Sequence, residues 1–202
     1  MTDAVPPADV PAPPVPVRPI VYLSYPYQTY DHCPDYMTGL RRACAAQLAF
    51  FDPGDRSDPN LWAQLLLYLR QASVPAAALP DALFRALDLP LALLAPPGQE
   101  QLTWDTQPNH RGQLLRSLYI LLRAKAVLAD GMLLGRAENC IELLVAKACD
   151  LPVLVVSDLP GLTPALGYLA NAVAAPTEKL LPDLLNFYVG YGLSAATAPP
   201  AT

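Results

Sequence analysis

Two acids at the borders of apolar runs, Asp130 and Glu142, have the residue types and spacing to do chemistry in this chain. Asp130 closes the run that begins at Lys125. Glu142 lies in a segment, 138–149, whose Ile141, Leu144, Val145 and Ala148 recur at helical spacing, and it stands beside that stripe at the margin of a core. A short apolar run, a helix and a second apolar run at Val153–Val156 form the pattern of a βαβ unit. In such a unit the end of the strand and the start of the helix meet at one edge of the sheet, so the spacing predicts two carboxylates facing one crevice. Carboxylates so placed act as nucleophiles or exchange protons. A second group of candidates, Ser24, Tyr25 and Tyr27, follows the first apolar run, Ile20–Leu23. Their rings would stack on a flat ligand, and Ser24 would donate to a phosphate or a sugar hydroxyl. Rings that only cover a sheet edge would look the same. Glu138 reads as a first-turn acid complementing the helix dipole. Cys140 is a minor candidate for lining a pocket.

These residues need a sheet to position them. Further short apolar runs at 50–53 and 172–175 bring the strands to five. Helical spacing occupies 36–48, 61–70, 81–87, 111–123 and, behind Thr177 as a cap, a last helix to about Tyr188. Alternating strands and helices predict a single flavodoxin/Rossmann-like α/β domain, its five-stranded sheet mostly parallel and covered on both faces, with a helical insertion after strand two. In a 2-1-3-4-5 order, ligands bind where strand order reverses, between strands one and three. The expected organisation is a proline-rich tail at 1–19, the α/β domain at 20–193 with helical decoration at 54–111, and a flexible tail at 194–202. The stripe of Trp62, Leu65, Leu66 and Leu69 reads as packing surface or a contact between subunits.

Composition narrows the classes of function. The chain has 202 residues, 53% of them hydrophobic, and a net charge of -5. That suits one soluble domain and argues against binding a nucleic-acid polymer, whose partners are usually basic. No apolar run reaches the roughly 18–20 residues that cross a bilayer. Acid and proline stand where a secretory leader would place basic and apolar residues, so a cytoplasmic setting is expected, with no membrane partner. Cys33, Cys44, Cys140 and Cys149 have no metal-ligand spacing, and His32 and His110 stand alone. No metal or cofactor is expected.

Three pieces in order, VYLSYPY, AKAVLAD and ENCIELLVAKACDLPVLVV, resemble the nucleoside 2-deoxyribosyltransferase family and its relatives that hydrolyse nucleotide N-glycosidic bonds. The resemblance spans roughly residues 21–156 around the decorated middle. It implies that Glu142 is the nucleophile, that Asp130 holds the base or sugar hydroxyls, and that Tyr22 and Tyr27 position the nucleophile and stack on the base. A nucleoside or nucleotide would be the small-molecule substrate, and homo-oligomers would complete the site. The chain departs from the family's pattern at several points. Ala137, Asn139 and Cys140 replace a glycine-containing loop, and Ser117 and Lys125 stand where relatives carry acids. Arg136 is basic at the helix start, where with Asn139 it would favour a bound phosphate. These departures leave open a second reading, a catalytically degenerate module of the same fold that binds a nucleotide or a nicotinamide-containing ligand.

Overall fold

The computed structural model describes residues 18–26, 33–54, 61–97, 110–131, 137–157 and 164–197. Five strands form its sheet: β1 (Ile20–Ser24), β2 (Ala49–Phe51), β3 (Ala126–Asp130), β4 (Val153–Val156) and β5 (Ala172–Ala174). Their order is β2-β1-β3-β4-β5 and every pairing is parallel. The fold is α/β, as the alternation of elements predicts. The three inner strands, IVYLS, AVLAD and VLVV, are buried along their whole length. This is why they read as unbroken apolar runs instead of alternating ones. The edge strands β2 and β5 have three residues each and are partly exposed, which limits the row of unpaired backbone groups offered to other chains.

Helices cover both faces. On one face α1 (Asp35–Cys44) and α7 (Leu181–Thr197) pack Met37, Leu40, Leu185 and Val189 against Val21, Leu23, Ala126 and Leu128. On the other, α4 (His110–Leu121) and α5 (Ala137–Ala148) pack Leu118, Leu121, Leu143 and Ala146 against Ile20, Tyr22, Val127 and Ala129. Strand alternation therefore separates even from odd positions: in β1, Tyr22 and Ser24 look toward α5, and Leu23 and Tyr25 toward α1. Helix α6 (Pro164–Leu169) links β4 to β5.

Between β2 and α4 lie α2 (Leu61–Gln71), α3 (Asp81–Ala86) and a 3₁₀ turn at Leu91–Leu94. They add Leu66, Leu69, Leu79 and Leu93 to the α4/α5-side cluster. The packing reading of the α2 stripe thus holds for Leu65, Leu66 and Leu69, while the side chain of Trp62 lies outside the described residues. This layer explains why Tyr119 and Ile120 of α4 are as buried as its expected leucine stripe. It also buries Arg123, just past α4. The Arg123 guanidinium donates to the carbonyls of Tyr119 (2.8 Å), Leu93 (3.1 Å) and Ala95 (2.5 Å), and lies 3.7 Å from the centre of the Tyr119 ring. One cation thereby fastens the inserted layer to the sheet-covering helix.

The last helix and the buried face of α5 differ from the sequence reading. The last helix starts at Leu181, not behind Thr177, and continues to Thr197, through the residues expected to begin a flexible tail. In α5 the buried face carries Asn139 (2% exposed), Glu142 (1%), Leu143 and Ala146, whereas Leu144 is 45% exposed. The helix is rotated from its most apolar stripe so that two polar residues face the sheet. Most of the expected proline-rich tail, 1–17, lies outside the described residues.

The Arg123 clamp makes a prediction about stability. Arg123→Ala removes three hydrogen bonds to main-chain carbonyls and should cost about 2–4 kcal/mol in urea denaturation; a loss below about 1 kcal/mol would refute its fastening role.

Candidate active site

Strand β1 leads to β2 on one side of the sheet and β3 to β4 on the other, so the helices that follow them, α1 and α5, lie on opposite faces. The gap between the carboxyl ends of β1 and β3 is the switch point of this fold. Glu142 projects there from the first half of α5. Its Oε1 accepts the Tyr22 hydroxyl at 2.6 Å, and its Oε2 accepts the Ser24 hydroxyl at 2.8 Å. Asn139, one helical turn earlier, directs Nδ2 at the same Oε2, at Ser24 Oγ and at the Tyr25 carbonyl, each at 3.3 Å. Ser24 therefore receives from the amide while donating to the acid. All four side chains are buried, with Ser24 and Tyr22 at 0% exposure.

A carboxylate withdrawn from water needs donors to offset lost hydration. Here three side chains supply them and leave the group one fixed orientation. An oriented carboxylate can attack an electrophilic carbon, accept a proton, or hold a ligand's hydroxyl.

Other candidates fall elsewhere. Asp130 does end β3, but its carboxylate accepts the hydroxyl of Tyr36 from α1 at 2.6 Å. Even positions of β3 face the α1/α7 side, so Asp130 and Glu142 come to the strand ends from opposite faces of the sheet. Tyr25 does not present its ring to a ligand. It is 1% exposed, packs in the α1/α7-side cluster and donates to Asp52 Oδ1 at 2.6 Å. Asn139 is an internal support of the acid, not a surface contact. Tyr27 and Arg136 lie outside the described residues, as does the side chain of Glu138. Ser117 is buried in α4, and Lys125 precedes β3 at the amino-terminal edge, the sheet edge remote from Glu142.

Asp52, just past β2, was not among the sequence candidates. It is buried and accepts from Tyr25, from the Gly54 amide at 3.0 Å and from Arg41 of α1, which completes an ion pair at 3.0 Å. The signal was present in the acid that follows Phe50 and Phe51, as Asp130 follows its own apolar run. Burial first, and then the hydrogen bond to Asp52, push the Tyr25 phenol above its ordinary range. Burial also raises the Cys33 thiol to about 12, with the Asp52 carboxylate adding to it and Arg41 opposing. Beside Asp130, Gly131 has no room for a side chain: a Cβ there would lie 2.4 Å from the Ser157 side chain, which follows β4. Among the described residues no group of three or more His, Cys, Asp or Glu is set to hold a metal ion, and no helix is long and apolar enough to cross a membrane.

Comparison with protein-family models, with curated proteins and with solved structures finds no match for this chain.

Two predictions follow from this geometry. Tyr22→Phe and Ser24→Ala each remove one donor from a buried carboxylate and should each cost about 1.5–3 kcal/mol on chemical denaturation. Because both donors serve one acceptor, their effects should be non-additive by about 0.5 kcal/mol or more, and strict additivity would show that they do not share it. A raised thiol pKa keeps the proton on sulfur at neutral pH. A thiol reagent should therefore modify exposed Cys140 ahead of Cys33 and of Cys149, which burial likewise raises to about 12. Peptide mapping in the native and the urea-unfolded protein reads the order.

Proposed function

We propose that this chain cleaves or transfers the N-glycosidic bond of deoxynucleosides or nucleotides, with Glu142 as the nucleophile. The observation that carries the reading is the buried carboxylate at the β1/β3 switch point, held by Tyr22 and Ser24. The resemblance of VYLSYPY, AKAVLAD and ENCIELLVAKACDLPVLVV to the nucleoside 2-deoxyribosyltransferases supports the same assignment. In this scheme a Glu142 oxygen bonds to the anomeric carbon as the C–N bond breaks and its electron pair leaves with the base. The developing positive charge at that carbon is met by the carboxylate, and the covalent ester splits one difficult substitution into two. Water or a second base then takes the sugar, with net retention of configuration. Tyr22, Ser24 and Asn139 are positioning residues for the acid. Asp130, which ends β3 and accepts from Tyr36, is the second acid at these strand ends.

A homo-oligomeric, cytoplasmic enzyme goes with this reading. Phe187 and Tyr191, one turn apart on α7, are both exposed and give an apolar strip of the kind that subunits cover. A second reading, a binding module without turnover, has its own observation: Glu142 is only 1% exposed and both its oxygens already accept hydrogen bonds.

Chromatographic measurement of free base across deoxynucleosides and their monophosphates separates the two. Turnover is expected for at least one substrate, and Glu142→Gln, which preserves shape, should lower it by about four orders of magnitude or more while the fold's circular dichroism is kept. Full activity in that variant removes the nucleophile assignment. Thermal stabilisation by a nucleotide without any base released selects the binding module.

A further inference from the structure

The amino-terminal edge of the sheet, opposite Glu142, holds a cavity of about 340 Å³. It is formed where the extended segment after α2 passes the end of α5 and the starts of β3 and β4. Ala77, Leu122, Ala124 and Leu151 supply apolar wall, and Lys125 lines the same space. The wall is fixed in place: the Ala77 amide donates to the Leu122 carbonyl at 2.5 Å, and the Lys125 amide donates to the Ile20 carbonyl at 2.8 Å. The volume stands near the lower end of small-molecule sites, about 300–1,000 Å³, so a ligand would be small.

From this arrangement we infer that Lys125 is the reactive group of a site for small, mainly apolar aldehydes or ketones, which it captures as a reversible imine. The Nζ lone pair adds to the carbonyl carbon, one proton passes from nitrogen to oxygen, and the resulting hydroxyl takes the second N–H proton, by way of solvent, and departs as water as the C=N bond forms. No oxidant or further reactant is needed.

Three features of the cavity favour this chemistry over simple anion binding. Burial lowers the Lys125 ammonium below the ordinary lysine range, which raises the share of the neutral amine that can attack. Among the described residues Lys125 forms no ion pair that would hold it charged. The other titratable groups lining the cavity are Cys149 and Asp150. The Cys149 thiol is pushed up to about 12 by burial and then by Asp150, so it stays protonated and does not compete as nucleophile. Asp150 is exposed at the end of α5, in a left-handed backbone conformation (φ 54°), where it meets solvent instead of neutralising the amine.

The sequence makes the test selective, because Lys125, Lys147 and Lys179 are its only lysines. The full chain is incubated near neutral pH with butanal and cyanoborohydride, and alkylation at each lysine is followed by peptide mass spectrometry. Lys125 should react roughly tenfold faster or more, since a bound aldehyde is held beside the amine at raised effective concentration, and its rate should saturate with butanal. The preference should vanish in urea. Ala77→Leu, which fills the cavity while leaving the lysine in the sequence, should slow Lys125 and leave Lys147 and Lys179 unchanged. Equal rates at the three lysines, a rate linear in butanal, or an Ala77→Leu protein that labels Lys125 as fast as the wild type would each overturn the assignment.

Discussion

Removing a carboxylate from water costs several kcal/mol unless donors replace its hydration. The fold around the switch point is built to meet that cost for Glu142. From α5 itself Asn139 reaches one of the two oxygens. The other donors come from β1, more than a hundred residues earlier in the chain. Tyr22 and Ser24 reach the acid together because they are two apart on one strand and so share a face. A one-residue slip of β1 against β3 would turn both hydroxyls toward α1 and leave the acid without them. The parallel register Tyr22 to Val127 and Ser24 to Ala129 is therefore tied to polar chemistry as well as to the apolar pattern.

The constraint extends through the sheet to its other face. Asn139 also donates to the carbonyl of Tyr25, and the hydroxyl of Tyr25 is held by Asp52, which Arg41 and the Gly54 amide hold in turn. Asn139 on one side of the sheet and Asp52 on the other thus fix the same residue after β1. The backbone turns off the strand there, and loops at that edge are where ligands of such folds bind. Rigid anchorage beneath a loop is what allows a site to hold its geometry while the loop itself adapts.

How far this was legible in the sequence depends on which signal each part carries. Buried parallel strands announce themselves as apolar runs, so the three inner strands could be read directly, whereas the strand order was taken from the fold type and the short, partly exposed edge strands gave a weaker signal. Rotation of a helix is harder. Apolar periodicity in α5 selects Leu144, yet the structure exposes Leu144 and turns Asn139 and Glu142 inward. The choice was made by hydrogen-bond partners on β1, which no local pattern encodes. The same limit applies to Asp130. Its position at a strand end was plain, but which face it occupies depends on strand parity, and its partner Tyr36 comes from a distant helix. Helix α7 runs past Gly190 and Gly192 because the sheet packs Leu185 and Val189 beneath it, and tertiary burial outweighs glycine's cost of about 1 kcal/mol.

A carboxylate with this much hydrogen bonding is not what stability alone would select. Stability alone would be served as well by apolar side chains: exchanging a buried polar cluster for packed hydrocarbon of similar volume is often neutral or favourable by about 1–4 kcal/mol. Leu143 and Ala146 already line the same face of α5, and Phe51 lies beside Tyr22, with ring centres 5.5 Å apart. A leucine at 142, a phenylalanine at 22 and an alanine at 24 would extend that cluster without a polar atom to satisfy. Four polar side chains instead converge on one point at the carboxyl ends of β1 and β3, an arrangement that hydrocarbon packing does not require and that holds the acid in one orientation.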